Sequence, residues 1–168
     1  MYLVERAPTL KTLRLLGASL SHHVLHEAIQ KLPLLESLEV SLWDFNESAY
    51  EKLFPSVCEA CPCLKKISLR LITSYSYGYD YEKDMAILDG AKCRIPIMRE
   101  LRSLELNKCR LTEMKLMAII NNCPVLESLY INVCFISRVS KMVEWIQAKY
   151  ARVKVLAVIA DSDEECYA

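Results

Sequence analysis

The stretch LRSLELNKCRLTEMKLMAIINNCPVLESLYINVCF (101–135) contains the same pattern twice. At its head Leu104 and Leu106 alternate with polar residues, and near its end Leu129 and Ile131 do the same. Alternation with period two marks a strand that buries one face. Between the two copies Leu116, Met117 and Ile120 recur at helical spacing, and Thr112 followed by Glu113 opens that helix. A strand, a helix and a second strand of the same pattern make one unit of a repeat.

Working outward, the frame P-x-L-x-x-L-x-L recurs along the chain. It appears as APTLKTLRL (7–15), LPLLESLEV (32–40), CPCLKKISL (61–69), MRELRSLEL (98–106) and CPVLESLYI (123–131), with a weaker sixth copy in ARVKVLAVI (151–159). The first apolar residue of each copy is Leu10, Leu35, Leu64, Leu101, Leu126 and Val153, giving spacings of 25, 29, 37, 25 and 27. Proline is missing from the fourth and sixth copies. Helix-like stretches fill the intervals. Ser21 can cap the first, with Val24, Leu25, Ala28, Ile29 and Leu32 as its apolar stripe, and 138–150 forms the last, with Val139, Met142, Val143 and Ile146 turned inward. Proline beside leucine at each helix exit ends the helix and starts the return strand.

A strand and a helix every 25 or so residues predict an α/β leucine-rich-repeat solenoid of five to six repeats, with a parallel concave sheet and helices on the convex side. One domain over 1–160 and an acidic tail over 161–168 are expected. Pro55 should kink or split the helix of the second turn. The third turn is about ten residues longer than the regular ones and holds YSYGYDY (75–81), followed by a short helix over 82–88.

Composition narrows the function. The 168 residues are 53% hydrophobic and 25% charged, with 21 basic and 21 acidic side chains. A formal charge of zero speaks against a nucleic-acid module held by phosphate contacts. Only three glycines are present, and neither G-x-G-x-x-G nor G-x-x-x-x-G-K-[ST] occurs. No apolar run approaches the ~20 residues of a bilayer span, and MYLVERAPTLK has no signal-peptide pattern. The expectations are no membrane, no nucleic acid, no cofactor, no catalytic residue, and a cytoplasmic or nuclear location with reduced thiols.

Four of the eight cysteines fall on the frame. Cys61 and Cys123 precede a frame proline, and Cys109 and Cys134 come three residues after the last frame leucine or isoleucine, where a small semi-apolar side chain fits a core. Cys58, Cys61 and Cys63 spell C-x-x-C-x-C, the basis of a rival metal or thiol reading, but no second ligand pair completes a zinc set. His22 and His26, four apart on a helix, lack a third ligand as well.

The repeats resemble the cysteine-containing leucine-rich repeats of plant F-box proteins. The words that carry the likeness are ERAPTLKTLRL (5–15), AIQKLPLLESLEV (28–40), EACPCLKKISL (59–69), YGYDYEKDMAI (77–87), the stretch 101–135 quoted above, and DSDEECY (161–167). In that family the repeats recognise a substrate, and a preceding F-box binds the Skp1-type adaptor of a cullin ubiquitin ligase. The resemblance implies a substrate receptor rather than an enzyme. No F-box is recognised in these residues, so the expectation is a module that binds, sequesters or antagonises a partner protein. The alternative is a fragment of a full receptor acting in ubiquitin-dependent degradation, with the Skp1-type adaptor as partner only if a longer form carries the F-box. The sequence also departs from the family in its longer second turn with Pro55, in Arg99 where a proline is expected, and in its last helix.

Between the inward leucines, three outward rows are expected on the sheet. The central row is Arg14, Glu39, Ser68, Glu105, Tyr130 and Ala157. Before it run Thr12, Ser37, Lys66, Ser103, Ser128 and Val155, and after it Leu16, Ser41, Arg70, Asn107, Asn132 and Ile159. Arg14, Glu39, Lys66, Ser68, Arg70, Glu105, Asn107, Tyr130 and Asn132 are the candidate partner-binding residues on this face. Tyr75, Tyr77, Tyr79 and Tyr81 are a second candidate surface, since tyrosines give contact area at low entropic cost. The edge of the first repeat, near Tyr2, Leu3 and Val4, is a site for self-association.

Overall fold

The computed structural model describes residues 7–18, 22–43, 47–72, 96–107, 113–133, 139–151 and 153–160. Six strands form one sheet in the order of the sequence: β1 (Thr12–Ala18), β2 (Ser37–Trp43), β3 (Lys66–Ile72), β4 (Ser103–Asn107), β5 (Ser128–Val133) and β6 (Lys154–Ala160). All five pairings are parallel. Parallel neighbours need a crossover, and among the described residues helices supply four of them. These are α1 (His22–Gln30) after β1, α2 (Glu47–Ala60) after β2, α3 (Glu113–Asn121) after β4 and α4 (Val139–Lys149) after β5.

The frame residues stand on two continuous rungs. Leu13, Leu38, Ile67, Leu104, Leu129 and Val155 are register partners in turn, and so are Leu15, Val40, Leu69, Leu106, Ile131 and Val158. From β2 to β5 these side chains are buried, in one core with Leu25, Ile29, Phe54, Leu116, Ile120 and Ile146 of the helices. Each such aliphatic side chain contributes about 1.5–3 kcal/mol relative to an exposed one. In β1, Leu13 and Leu15 are only half-buried, and among the described residues β1 pairs with β2 alone.

The proline of the frame has a sharper role than ending a helix. In four copies it is the second residue of a hydrogen-bonded turn, in which the amide of Leu10, Leu35, Leu64 or Leu126 donates to the carbonyl of Ala7, Leu32, Cys61 or Cys123. Tyr150 and Val153 close the same turn around Ala151. In the fourth copy, where Arg99 replaces proline, the amide of Met98 donates instead to the carbonyl of Asn122. After each turn the chain is tied to its neighbour by one shared acceptor. The carbonyl of Lys11 takes the amides of Glu36 and Ser37, and the carbonyls of Glu36, Lys65 and Arg102 repeat that bond to the next copy.

Two bulges interrupt the register. Between Leu15 and Ala18 β1 spends three residues where β2 spends two, and Gly17 there has a φ of 66°, a left-handed conformation suited to glycine. In β6, Val155 pairs with Leu129 and Ala157 with Tyr130, leaving Leu156 as the extra residue. This overturns one expected position: Lys154, not Val155, stands opposite Ser128 in the outward row.

One helix expectation also changes, and of the two outcomes expected at Pro55 the split is excluded. α2 runs through Pro55 as one helix rather than two pieces. Burial of Leu53, Phe54, Val57 and Cys58 on one side holds it together across the missing amide. Val24 is exposed, while Leu25, Ala28 and Ile29 of the same helix are buried. The expected caps Ser21 and Thr112 lie outside the described residues. So do the tyrosines of 75–81, the helix expected over 82–88, Cys93, Cys109, Cys134, Cys166, the residues before Ala7 and the tail 161–168.

Candidate functional site: the polar face of the sheet

A strand that buries alternate residues must display the others. The displayed residues run across the sheet in register. The central row is Arg14, Glu39, Ser68, Glu105, Tyr130 and Ala157. Beside it, Ser41, Arg70, Asn107, Asn132 and Ile159 are partners in turn. On the other side stand Thr12, Ser37, Lys66, Ser103, Ser128 and Lys154.

Charges on this face are matched across strands. Arg14 Nε lies 2.8 Å from Glu39 Oε2. Glu105 accepts from the Ser68 hydroxyl at 2.9 Å and from Arg70 Nη2 at 3.3 Å. Ser68 is therefore a floor residue, 4% exposed beneath longer neighbours, and it helps to orient Glu105 rather than projecting outward. Ser41 is buried likewise, whereas Leu16 is 60% exposed at the β1 end. Tyr130, Asn107 and Asn132 are partly exposed.

Where the chain enters the strands, a second set of charges forms a rail. Glu36 sits between Lys11, at 2.9 Å, and Lys65, at 2.7 Å. Further along, Arg102 is paired with Glu127. Hydrogen bonds from Lys65 and Lys11 hold the Glu36 carboxyl down at about 2, below its ordinary 4.5, and Glu36 in return raises Lys11. These residues were not among the expected site residues. The available signal was the charge at the fourth frame position of each copy, Lys11, Glu36, Lys65, Arg102 and Glu127.

The cysteines of C-x-x-C-x-C lie at the end of α2 and in the turn after it. Cys58 and Cys61 are buried, and Cys63 is half-exposed. Cys61 Sγ donates to the carbonyl of Leu32 at 3.3 Å and faces that of Ile29 at 3.8 Å. Burial, then the neighbouring Cys63, raises the Cys61 thiol to about 11, and burial raises Cys123 to about 12. Metal ligation and nucleophilic chemistry both use the thiolate, which these positions disfavour. Among the described residues no three histidine, cysteine or carboxylate side chains converge on a point. His23 and His26 are exposed on α1. Nor is any described helix long and apolar enough to cross a membrane.

At the far end, Tyr150 donates to the Asn121 side-chain carbonyl and meets Trp145 edge to face, with ring centroids 5.9 Å apart. Lys149 Nζ lies 4.9 Å from the centre of the Trp145 ring.

Strand–helix copies on a leucine frame, stacked in sequence order with one polar face open, define a leucine-rich-repeat protein. The relatives give the particular family. F-box/LRR-repeat protein 22 of Arabidopsis thaliana is 36% identical over 135 residues, 80% of this chain and 40% of the relative. F-box/LRR-repeat protein 23 of the same plant is 31% identical over 168 residues, 98% of this chain and 34% of the relative. F-box/LRR-repeat protein 21 is 35% identical over 116 residues, 64% of this chain and 36% of the relative. The chain belongs to the plant F-box/LRR-repeat family. It spans 34–40% of the length of these relatives. No family model matches it, and no solved structure does.

Proposed function

We propose that the chain is a non-catalytic protein-interaction module, a solenoid whose concave sheet face is the binding surface, and that it works in the cytoplasm or nucleus. The observation that carries this reading is the open polar face. Arg14, Glu39, Lys66, Arg70, Glu105, Asn107, Tyr130 and Asn132 stand in register across five strands, over the small Ser68. Paired charges around a partly exposed tyrosine suit a protein partner. The Tyr75, Tyr77, Tyr79 and Tyr81 segment is a second contact surface in this reading.

The family supplies the setting. The module acts as the substrate-recognition part of a ubiquitin-ligase receptor when an F-box accompanies it, and as a sequestering or antagonising partner when it does not. Proximity labelling with the full chain in plant cells tests the reading. A recurrent labelled protein that disappears with Glu105→Lys and with Tyr130→Ala supports it, and labelling indifferent to both overturns it. Recovery of a Skp1-type adaptor on the same bait marks the delivering form.

A further inference from the structure

The chain as a whole is electrically balanced, but its polar sheet face is not. Of the cations displayed on the three outward rows, Arg14 and Arg70 are neutralised by Glu39 and Glu105. Lys66 on β3 and Lys154 on β6 are exposed, and among the described residues neither meets a carboxylate. The two lysines belong to one row, Lys66, Ser103, Ser128, Lys154, each residue a register partner of the next. Two half-buried serines thus floor a track with an ammonium group at each end.

The dimensions of the track select its occupant. Three inter-strand steps of ~4.8 Å separate the lysine backbones by roughly 14 Å. An extended peptide advances ~3.3 Å per residue, so side chains four apart on one face are separated by roughly 13 Å. The serine hydroxyls can hydrogen-bond the backbone or side chains lying between. On this geometry, and resting on the reading of this face as the binding surface, we propose that the module recognises an extended acidic protein segment with two carboxylates four residues apart, one at Lys66 and one at Lys154. A nucleic acid fits poorly, because two separate ammonium groups roughly 14 Å apart do not match a continuous run of phosphates.

Phage panning of random peptides against the full chain tests this, followed by fluorescence polarisation with the best binder. The expected binder carries Asp or Glu at i and i+4, loses about tenfold or more in affinity with Lys66→Glu or Lys154→Glu, and weakens with salt. Circular dichroism of both variants checks that the fold is kept. Moving one acid by a single residue should weaken binding, since it turns that side chain to the other face. Binders without paired acids, but lost with Tyr130→Ala, would overturn the acidic motif and leave the interaction module standing. Absence of any binder sensitive to the face would overturn both. Tighter binding of a single-stranded oligonucleotide than of any peptide would overturn the acidic segment in favour of a polyanion.

Discussion

The Cys61 thiol donates its hydrogen bond to the carbonyl of Leu32, 3.3 Å away. Those two residues occupy the same slot of successive copies, the one three before the first frame leucine, which Met98 and Cys123 fill further on. All four side chains are buried. The Leu32 carbonyl already accepts the amide of Leu35 within its own copy. A thiol in the next copy reaches its second lone pair without bringing a strongly polar group into the core. Cysteine here is a structural link between repeats.

The chemistry of the thiols should follow. With native protein near pH 8, iodoacetamide should modify Cys63 well before Cys61 and Cys123, whose raised values leave little thiolate. Peptide mapping against time measures the order. Cys61→Ala should cost about 1–3 kcal/mol in urea unfolding, from a lost bond and a small void. Equal labelling of Cys61 and Cys63 would contradict the buried link.

Glu36 gives a pH prediction of definite sign. Its carboxyl is held near 2 in the folded chain, first by Lys65 and then by Lys11, against 4.5 ordinarily. A lowered folded value stabilises the fold above the unfolded value, and that contribution disappears as pH falls from about 4.5 toward 2. Glu36→Gln should remove this part of the acid sensitivity, and salt should shrink it, because the pair is exposed. Carboxyl NMR titration reads the midpoint directly. A Glu36 midpoint near 4.5 would show that the rail does not hold the charge in solution.

Much of this arrangement is visible in the alternation itself. Because every strand is parallel and in register, one frame aligned on Leu38, Ile67, Leu104 and Leu129 fixes the neighbours of Glu39, Ser68, Glu105 and Tyr130. The reading slips at β6, where VLAV (155–158) is apolar on both faces and gives no sign that Leu156 is the extra residue. Nor does alternation reveal depth. Ser68 was correctly aligned, but its burial depends on the length of Glu105 beside it, a relation between copies rather than within one. Pro55 leaves α2 unsplit for a similar reason, since Leu53, Phe54, Val57 and Cys58 around it enter the core and hold the helix across it.

The two faces can be told apart by truncation. Leu104→Ala should cost about 2–5 kcal/mol, because Leu104 is fully buried between Ile67 and Leu129. Leu16→Ser, on the open face, should change stability by about 0.5 kcal/mol or less. Urea midpoints at unchanged slope measure both. Similar losses at the two positions would mean that the polar face is covered in solution.

Gly17 tests how independently neighbouring copies open. Its φ of 66° lies where a β-carbon costs about 1 kcal/mol or more, and it stands at the bulge that lets Ala18 pair with Leu42. Among the described residues β1 pairs with β2 alone, and its Leu13 and Leu15 are less buried than their partners in β2. In a stack where each copy contacts only the next, damage at one copy should stay near that copy. Gly17→Ala should therefore speed amide exchange at the β1–β2 pairing, including the amides of Glu36 and Ser37 that the Lys11 carbonyl holds, and leave β4 and β5 unchanged. Exchange that rises equally in β5 would show that the six strands open as one cooperative unit.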